Sequence, residues 1–198
     1  MMVFHKTTKK AFVFPTKTGT FTAMHFLKSI GWKFLGGPHQ FYEFFAEKYP
    51  NLHQYQIYCF FRNPLARFES AILHVKQMPY SGSDFQGVID KNKISKTVET
   101  ISYDEVIDIF SQVSETFEML FKPQVAWLAH SNIQALDFDN YEAELRRVTG
   151  NSDQPIVRYN TSTDFGRSVI TDKVRAFVRD YYAADYQFAK DVLGKEYA

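Results

Sequence analysis

Short apolar runs alternate with amphipathic stretches along the first third of the chain. Residues 11–14 form an apolar run that ends at Pro15, and residues 55–61 form a longer run rich in aromatic side chains. Both runs predict buried strands. The polar residues 16–20 predict a loop, and the apolar residues that then recur at every third position predict a helix that stops at Gly31. The sequence therefore begins with a strand, a polar loop and a helix.

The rest of the chain repeats this alternation. A second helix is expected to begin at Asn63 and Pro64, because Asn can cap a helix and Pro suits its first position. Residues 79–102 lack clear periodicity and predict a long surface connection with some helix. The other predicted elements are strands at 33–35 and 133–138, helices at 40–48, 103–121 and 141–148, and one or two helices over 172–193. Strands that alternate with helices predict an α/β fold with a mainly parallel central sheet and helices on both faces.

Composition limits the classes of function. The 198 residues are 45% hydrophobic and 23% charged, which suits one globular domain over residues 1–198. The formal net charge is +1, so no broad positive surface predicts binding to nucleic acid or membranes, and an anion site would have to be local. Cys59 is the single cysteine, which rules out an internal disulfide. No apolar stretch reaches the about 18 residues of a membrane span and no signal peptide is visible, so we expect a cytoplasmic protein.

The loop after the first strand has the composition of an anion-binding cradle. Residues 15–22 read Pro-Thr-Lys-Thr-Gly-Thr-Phe-Thr. Gly19 would let the backbone approach a ligand closely, amides at the helix start would point at it, and Lys17 would supply positive charge. The spacing of a Walker A motif is absent. A polar turn with a helix cap explains the segment equally well when it is taken alone.

A second segment places an arginine at the end of the central strand. Residues 62–70 read Arg-Asn-Pro-Leu-Ala-Arg-Phe-Glu-Ser. Arg62 ends the strand, and Ser70 lies about two turns into the following helix. The guanidinium group favours bidentate binding of phosphate. A solvated helix face is the competing interpretation of this segment.

Together the two segments resemble the nucleotide motifs of sulfotransferases that use 3′-phosphoadenosine 5′-phosphosulfate (PAPS), particularly the Golgi-type carbohydrate group. In that family a P-K-[TS]-G-[TG]-T-like loop binds the 5′-phosphosulfate, and an R-[DN]-P-x-x-R-x-x-S segment binds the 3′-phosphate. The matching residues are Lys17, Thr18, Gly19, Thr20, Arg62, Asn63, Pro64, Arg67 and Ser70. Two residues depart from the family pattern: Thr16 stands where the family has a proline, and Phe21 stands where it has a small hydroxyl residue. The hydroxyl of Thr22 could partly replace the one that is missing at residue 21.

Weaker similarities follow in the family's order along the chain. Residues 36–39, Gly-Gly-Pro-His, resemble the Gly-His element of uronyl 2-O-sulfotransferases, in which the histidine is the base. The other similarities are a Pro-Gln segment at 121–124, a strand and acidic helix over 133–145, an Asn-x-Ser element at 159–162 and a Tyr-x-x-Asp-Tyr signature at 182–186. The resemblance implies a P-loop-like α/β sandwich, in agreement with the predicted alternation of strands and helices.

The resemblance implies transfer of a sulfuryl group from PAPS to an acceptor hydroxyl on a glycan or a small molecule, with release of 3′-phosphoadenosine 5′-phosphate (PAP). The family's reaction needs no metal. His39 would be the general base, with Glu43 as the alternative, and Lys17 would stabilise charge on the bridging oxygen. Arg62 and Ser70 would clamp the 3′-phosphate. The phosphosulfate would be held by Lys17, Thr18, Gly19, Thr20 and Thr22.

Two other functions remain open. A P-loop kinase-like phosphotransferase would need a Walker lysine and an Asp on a strand to hold Mg²⁺. A non-catalytic nucleotide-binding protein of the same fold is compatible with the departures at Thr16 and Phe21. Arg167 could reach the 3′-phosphate or lie in a surface loop. The sequence specifies neither the acceptor nor the oligomeric state: Lys91, Lys93 and Lys96 would favour an anionic glycan, but a solvated loop explains them more simply.

Overall fold

The chain divides into two compact units in the computed structural model, which describes residues 2–36, 42–77, 79–128, 132–159 and 167–197, without the side chains of residues 79–81. The first unit comprises residues 1–63, 124–160 and 187–198. The second comprises residues 64–123 and 161–186. That the two form a single domain over 1–198 stays a prediction.

The first unit is built on a five-stranded sheet. The strands are β1 Met2–His5, β2 Lys10–Val13, β3 Lys33–Leu35, β4 Gln56–Phe61 and β5 Ile133–Asp137. Their order in the sheet is β3-β1-β2-β4-β5. Strands β2, β4 and β5 are parallel, whereas β1 is antiparallel to both β2 and β3. The predicted α/β class is confirmed, but the sheet is mixed, so the prediction of a mainly parallel sheet is wrong.

The mixed sheet arises from β1, to which the sequence pattern assigned no element. Residues 6–9 form a tight turn after β1, and Lys9 adopts a left-handed φ of 52° that sends the chain back along β2. Within this turn His5 Nδ1 and Thr8 Oγ1 form a hydrogen bond of 2.9 Å. The strand is only four residues long and is followed by charged residues, so its periodicity is too short to detect.

Ten α-helices lie in the described residues: α1 Thr20–Ser29, α2 Tyr42–Lys48, α3 Pro64–Gln77, α4 Pro79–Lys91, α5 Tyr103–Asp108, α6 Phe110–Thr116, α7 Glu118–Phe121, α8 Tyr141–Thr149, α9 Asp172–Tyr181 and α10 Ala183–Leu193. None of these helices is long and apolar enough to cross a membrane. In the first unit, α1 and α8 pack on one face of the sheet around Phe12 and Phe60. Phe61 points to the other face, where its ring centre lies 5.3 Å from that of Phe188 in α10.

The second unit is helical and has its own aromatic core. Phe68 of α3 contacts the rings of Phe110, Phe121 and Tyr182. The connection predicted at the surface over 79–102 contributes α4, whose apolar side chains, including that of Phe85, are buried in this core. Two glycines and several polar residues hide the helical periodicity of α4 in the sequence. The predicted helix at 103–121 is divided into three short helices.

Candidate anion-binding site

The loop between β2 and α1 is held by short-range contacts in a turn with two left-handed residues. Lys17 has a φ of 64° and Gly19 a φ of 74°, and Gly19 is the N-cap of α1. Thr18 is fully buried, and its hydroxyl donates to the carbonyl of Pro15 over 2.7 Å. The left-handed conformation is costly for a lysine, so the loop places Lys17 against its local preference. This geometry brings the amide donors of the first turn of α1 to the carboxyl end of β2.

Gly19 has a φ of 74°, which residues with a side chain rarely adopt, and it packs against Tyr141, the first residue of α8. The Tyr141 hydroxyl donates to the Gly19 carbonyl over 2.6 Å. A Cβ atom at residue 19 would lie 2.8 Å from ring atoms of Tyr141, closer than real Cβ atoms approach a neighbour. The Gly19 carbonyl also accepts from the Ala23 amide at 3.0 Å. Two donors therefore hold the carbonyl of Gly19, and with it the backbone of the loop, in a fixed orientation.

Arg62 follows β4 and reaches the same loop. Its Nη1 donates to the carbonyl of Lys17 over 3.0 Å, and its guanidinium carbon lies 5.0 Å from the ring centre of Phe138. The backbone of Arg62 is fixed by Gln124, which is fully buried. The Arg62 amide donates to Gln124 Oε1 over 2.9 Å, and Gln124 Nε2 donates to the Arg62 carbonyl over 2.8 Å. These contacts orient the guanidinium group toward the loop between β2 and α1.

Lys17 and Arg62 bring two positive charges together. Burial, followed by repulsion from Arg62, lowers the pKa of Lys17 to about 8. No acidic side chain in the described ranges pairs with Lys17. An anion bound beside Lys17 would offset both effects and raise its pKa again. The electrostatics at the ends of β2 and β4 therefore favour an anionic ligand.

The threonines of the loop differ in their contacts. The Thr20 hydroxyl is shielded from solvent and has no hydrogen-bond partner in the part of the chain that the structure describes. The Thr22 hydroxyl accepts from the Tyr159 amide over 2.9 Å. The two departures from the family pattern also differ: Thr16 is fully buried, whereas Phe21 is 51% exposed. The hydroxyl of Thr20 is therefore available to donate a hydrogen bond to a ligand at the loop.

The structure gathers most of the predicted donor-binding residues in the first unit. They are Lys17, Thr18, Gly19, Thr20, Thr22 and Arg62. Ser70 lies in the second unit on α3, where it is 8% exposed. Arg67 is fully buried in the same unit, and its Nη2 donates to the carbonyls of Leu120 and Lys122 over 3.1 and 2.8 Å. A packing role therefore accounts for Arg67.

Of the two candidate bases, His39 and Glu43, the structure describes only Glu43. His39 lies outside the described residues, as do residues 37–41 around it and residues 160–162 of the Asn-x-Ser element. The alternative base Glu43 is exposed in the first turn of α2. Arg167 forms an ion pair with Glu69 within the second unit, with 3.4 Å between Nη1 and Oε1.

Three residues of the site were not predicted: Gln124, Phe138 and Tyr141. Gln124 belongs to the Pro-Gln segment of the resemblance, but no local sequence pattern indicates that it bonds to Arg62, which is 62 positions away. Tyr141 starts a predicted helix, yet its partner Gly19 is 122 positions away. Their roles arise from contacts that only the folded sheet creates.

Comparison of the chain with protein-family models, with curated proteins and with solved structures finds no match. Across the described residues, no group of three or more His, Cys, Asp or Glu side chains is arranged to hold a metal ion.

Proposed function

We propose that this protein is a sulfotransferase that moves a sulfuryl group from PAPS to an acceptor hydroxyl, and that its α/β fold is a P-loop-like sandwich. One observation carries the proposal: residues of the two motifs, 45 positions apart, meet where Arg62 Nη1 donates to the Lys17 carbonyl. They meet at the carboxyl ends of the adjacent parallel strands β2 and β4. Ligands of α/β proteins bind at this edge of the sheet, and a helix N-terminus there favours phosphate.

The residues of the loop fit the phosphosulfate group of the donor. Gly19 has no side chain, so its backbone can approach the ligand closely. The buried Thr20 hydroxyl has an unused donor, and the charged form of Lys17 is less favoured than it would be in solvent, so an anion beside it would be stabilising. Arg62 would bind the 3′-phosphate, the group that the motif assigns to Arg62 and Ser70. This group distinguishes PAPS from donors related to ATP.

The reaction would need a base, a stabilised leaving group and in-line geometry. His39 would take the proton of the acceptor hydroxyl as its oxygen bonds to sulfur, and Glu43 is the alternative base. Lys17 would place its positive charge beside the oxygen that bridges phosphorus and sulfur. Negative charge develops on this oxygen as its bond to sulfur breaks. The acceptor would be a glycan or a small molecule. The cytoplasm, a reducing compartment, is the proposed location because the single cysteine, Cys59, is buried and no disulfide is needed.

The contacts of Asp137 and the exposure of Phe21 bear on the two alternative functions, the kinase and the non-catalytic binding protein. A kinase would use an acid at a strand end to hold Mg²⁺, but Asp137 at the end of β5 already accepts from Asn140 Nδ2 at 2.7 Å and pairs with Lys195 at 2.7 Å. A non-catalytic binding protein is favoured by the exposed Phe21, which stands where the family has a hydroxyl. Turnover with an acceptor panel distinguishes that alternative from the sulfotransferase.

The first test is a calorimetric titration with PAP and with AMP, which lacks the 3′-phosphate. A charged hydrogen bond is worth about 1.5–3 kcal/mol, so PAP should bind at least ~10-fold more tightly than AMP. Arg62→Ala should remove most of this preference. Arg147→Ala is the matched control, because Arg147 pairs with Glu144 on the exposed side of α8. Equal affinity of the wild-type protein for the two nucleotides would contradict the proposal.

Transfer of labelled sulfate from PAPS is then measured on carbohydrate, phenolic and lipid acceptors. Turnover on one class supports the sulfotransferase and names its acceptor. PAP binding without turnover on any class favours the non-catalytic alternative.

A further inference from the structure

The segment of residues 194–197 follows α10 and lies on the turn after β5, within the first unit. Gly194 reverses the chain with a φ of 63°, and the Lys195 amide donates back to the Ala189 carbonyl over 3.1 Å. Lys195 Nζ lies 2.7 Å from Asp137 Oδ2 and 2.6 Å from Asp139 Oδ2. One ammonium group thus bridges two carboxylates on this turn.

The same turn contacts two parts of the anion site, the side chain of Arg62 and the loop after β2. Asp137 organises it, because Oδ1 accepts from the Asp139 amide over 3.0 Å and Oδ2 from Asn140 Nδ2 over 2.7 Å. The next residue, Phe138, contacts the guanidinium group of Arg62. Tyr141, which ends the turn, donates to the Gly19 carbonyl. We call residues 137–141 the support turn, since it touches both Arg62 and the loop after β2.

The ion pairs of Lys195 therefore hold a charged turn in shape. Asp137 is only 12% exposed, and a carboxylate with little solvent is costly unless it is paired. Without Lys195, the carboxylates of Asp137 and Asp139 would repel each other across one short turn. Relief of that repulsion would require the support turn to change shape. Phe138 and Tyr141 would then shift, and with them the groups that orient Arg62 and Gly19.

We propose that Lys195 is a positioning residue for the anion site: it holds the support turn, so that anion affinity depends on the docking of residues 194–197. This inference rests on the proposed function for the identity of the ligand. It adds a third segment, remote from both motifs in the sequence, to the parts of the chain that determine donor binding. It also makes the docked segment a point at which donor binding can be weakened without any change in the motifs.

The test compares Lys195→Met with Lys173→Met by titration with PAP, AMP and inorganic pyrophosphate. Lys173 is the matched control, because it also forms an ion pair, with Asp108 at 2.5 Å, but both side chains are exposed, at 48% and 61%, and both lie in the second unit. Lys195→Met should weaken PAP binding about tenfold, the effect expected when one charged hydrogen bond is misplaced, and should reduce the preference for PAP over AMP. Lys173→Met should stay within about twofold of the wild type. Lys195→Arg, which can still bridge two carboxylates, should recover most of the affinity.

A second variant tests the repulsion within the support turn. Lys195→Met combined with Asp139→Asn removes one of the two carboxylate charges, so PAP affinity should recover at least in part. A double variant that binds PAP as weakly as Lys195→Met would overturn the positioning role. Equal effects of Lys173→Met and Lys195→Met would also overturn it. All titrations are made well below the unfolding midpoint of each variant, so that loss of folded protein does not mimic weak binding.

The two proposals fail in different ways. If the wild-type protein does not prefer PAP over AMP, the proposed function fails, and the support turn is still tested by pyrophosphate binding. If the wild type prefers PAP but Lys195→Met binds it normally, only the positioning role fails.

Discussion

At the scale of single residues, the charge of Lys17 depends on its surroundings. Burial and the neighbouring Arg62 lower its pKa to about 8, so a modest rise in pH above neutrality removes the proton in the free protein. A bound anion stabilises the charged form and raises the pKa of Lys17 in the complex. At a pH between the pKa of Lys17 in the free protein and its pKa in the complex, the protein takes up a proton when the anion binds. Anion affinity should therefore fall as pH rises through this window.

The pH dependence of PAP binding tests this linkage. Above pH 8, affinity should fall by up to about tenfold per pH unit, while the phosphates of PAP are already ionised because their second pKa is about 6. Calorimetry in buffers of different ionisation enthalpy should detect proton uptake near pH 8.5. Lys17→Met should bind more weakly with a nearly flat profile, whereas Lys28→Met, at an exposed position near the end of α1, should keep the wild-type profile. The same slope in Lys17→Met would show that another group titrates.

A second residue-scale prediction concerns the hydroxyl of Tyr141. Tyr141→Phe keeps the ring, which packs 4.5 Å from Phe60, but loses the hydrogen bond to the Gly19 carbonyl. The control is Thr149→Val, which loses a hydroxyl bond of 2.7 Å to the Leu145 carbonyl on the same helix. Both variants should lose about 1 kcal/mol of unfolding free energy. Only Tyr141→Phe should weaken PAP binding, by about three- to tenfold, because only there is the loop carbonyl released. An equal effect of the two variants on affinity would contradict the role of the hydroxyl.

At the scale of elements, the end of β4 is joined to the 3₁₀ turn Gln124–Trp127. The side chain of Gln124 pairs with both backbone polar groups of Arg62, as a neighbouring strand would. Such pairing continues the sheet's hydrogen bonding one residue past the last strand position, Phe61. A buried strand end needs this, because an unpaired amide or carbonyl without solvent is costly.

Gln124→Leu should therefore have two effects. It removes the two hydrogen bonds between the Gln124 side chain and the amide and carbonyl of Arg62, so the unfolding free energy should fall by about 2–4 kcal/mol in urea denaturation. It should also reduce the preference for PAP over AMP, because Arg62 is no longer held toward the loop. Gln56→Leu is the control at the other end of β4, where Gln56 bonds to Gln134 in an exposed position. Loss of stability with an unchanged PAP preference would restrict Gln124 to a structural role.

The two arginines of the second motif also illustrate how an element decides a role. Arg62 lies at a strand end and reaches a loop that carries another cation. Arg67 lies one helical turn into α3, is fully buried and donates to two carbonyls near the end of α7. The same side chain is thus a candidate ligand contact in one place and a packing group in the other. Exposure and partners, rather than the residue type, make the difference.

At the scale of the whole molecule, each unit buries its own aromatic core. One core lies between the sheet and helices α1 and α8, and the other lies among the helices of the second unit. The anion site belongs to the first unit, and its positive charge is local, since the net charge of the chain is only +1. The chain passes from one unit to the other at four places, and the first of these, between residues 63 and 64, falls inside the motif that runs from Arg62 to Ser70. Whether Ser70 joins Arg62 at the 3′-phosphate stays a prediction of that motif.

The sequence by itself determined the features that depend on neighbouring residues. The strand before the loop, the start of α1, the Asn63-Pro64 helix start and the strand at 33–35 were all predicted within a residue or two. Caps, turn residues and hydrophobic periodicity act over a few positions, so they can be recognised without the fold. The loop with Lys17 and the arginine after the central strand were identified as candidates for the same reason.

Only the tertiary structure decided which distant segments meet. The antiparallel pairing of β1, the bonds from Gln124 to Arg62 and from Tyr141 to Gly19, and the bridge from Lys195 to the support turn join residues far apart in the chain. No local preference encodes such partners, because they come together when the sheet forms and its apolar faces are buried. The candidate site therefore takes its charged groups from local motifs and their orientation from long-range packing.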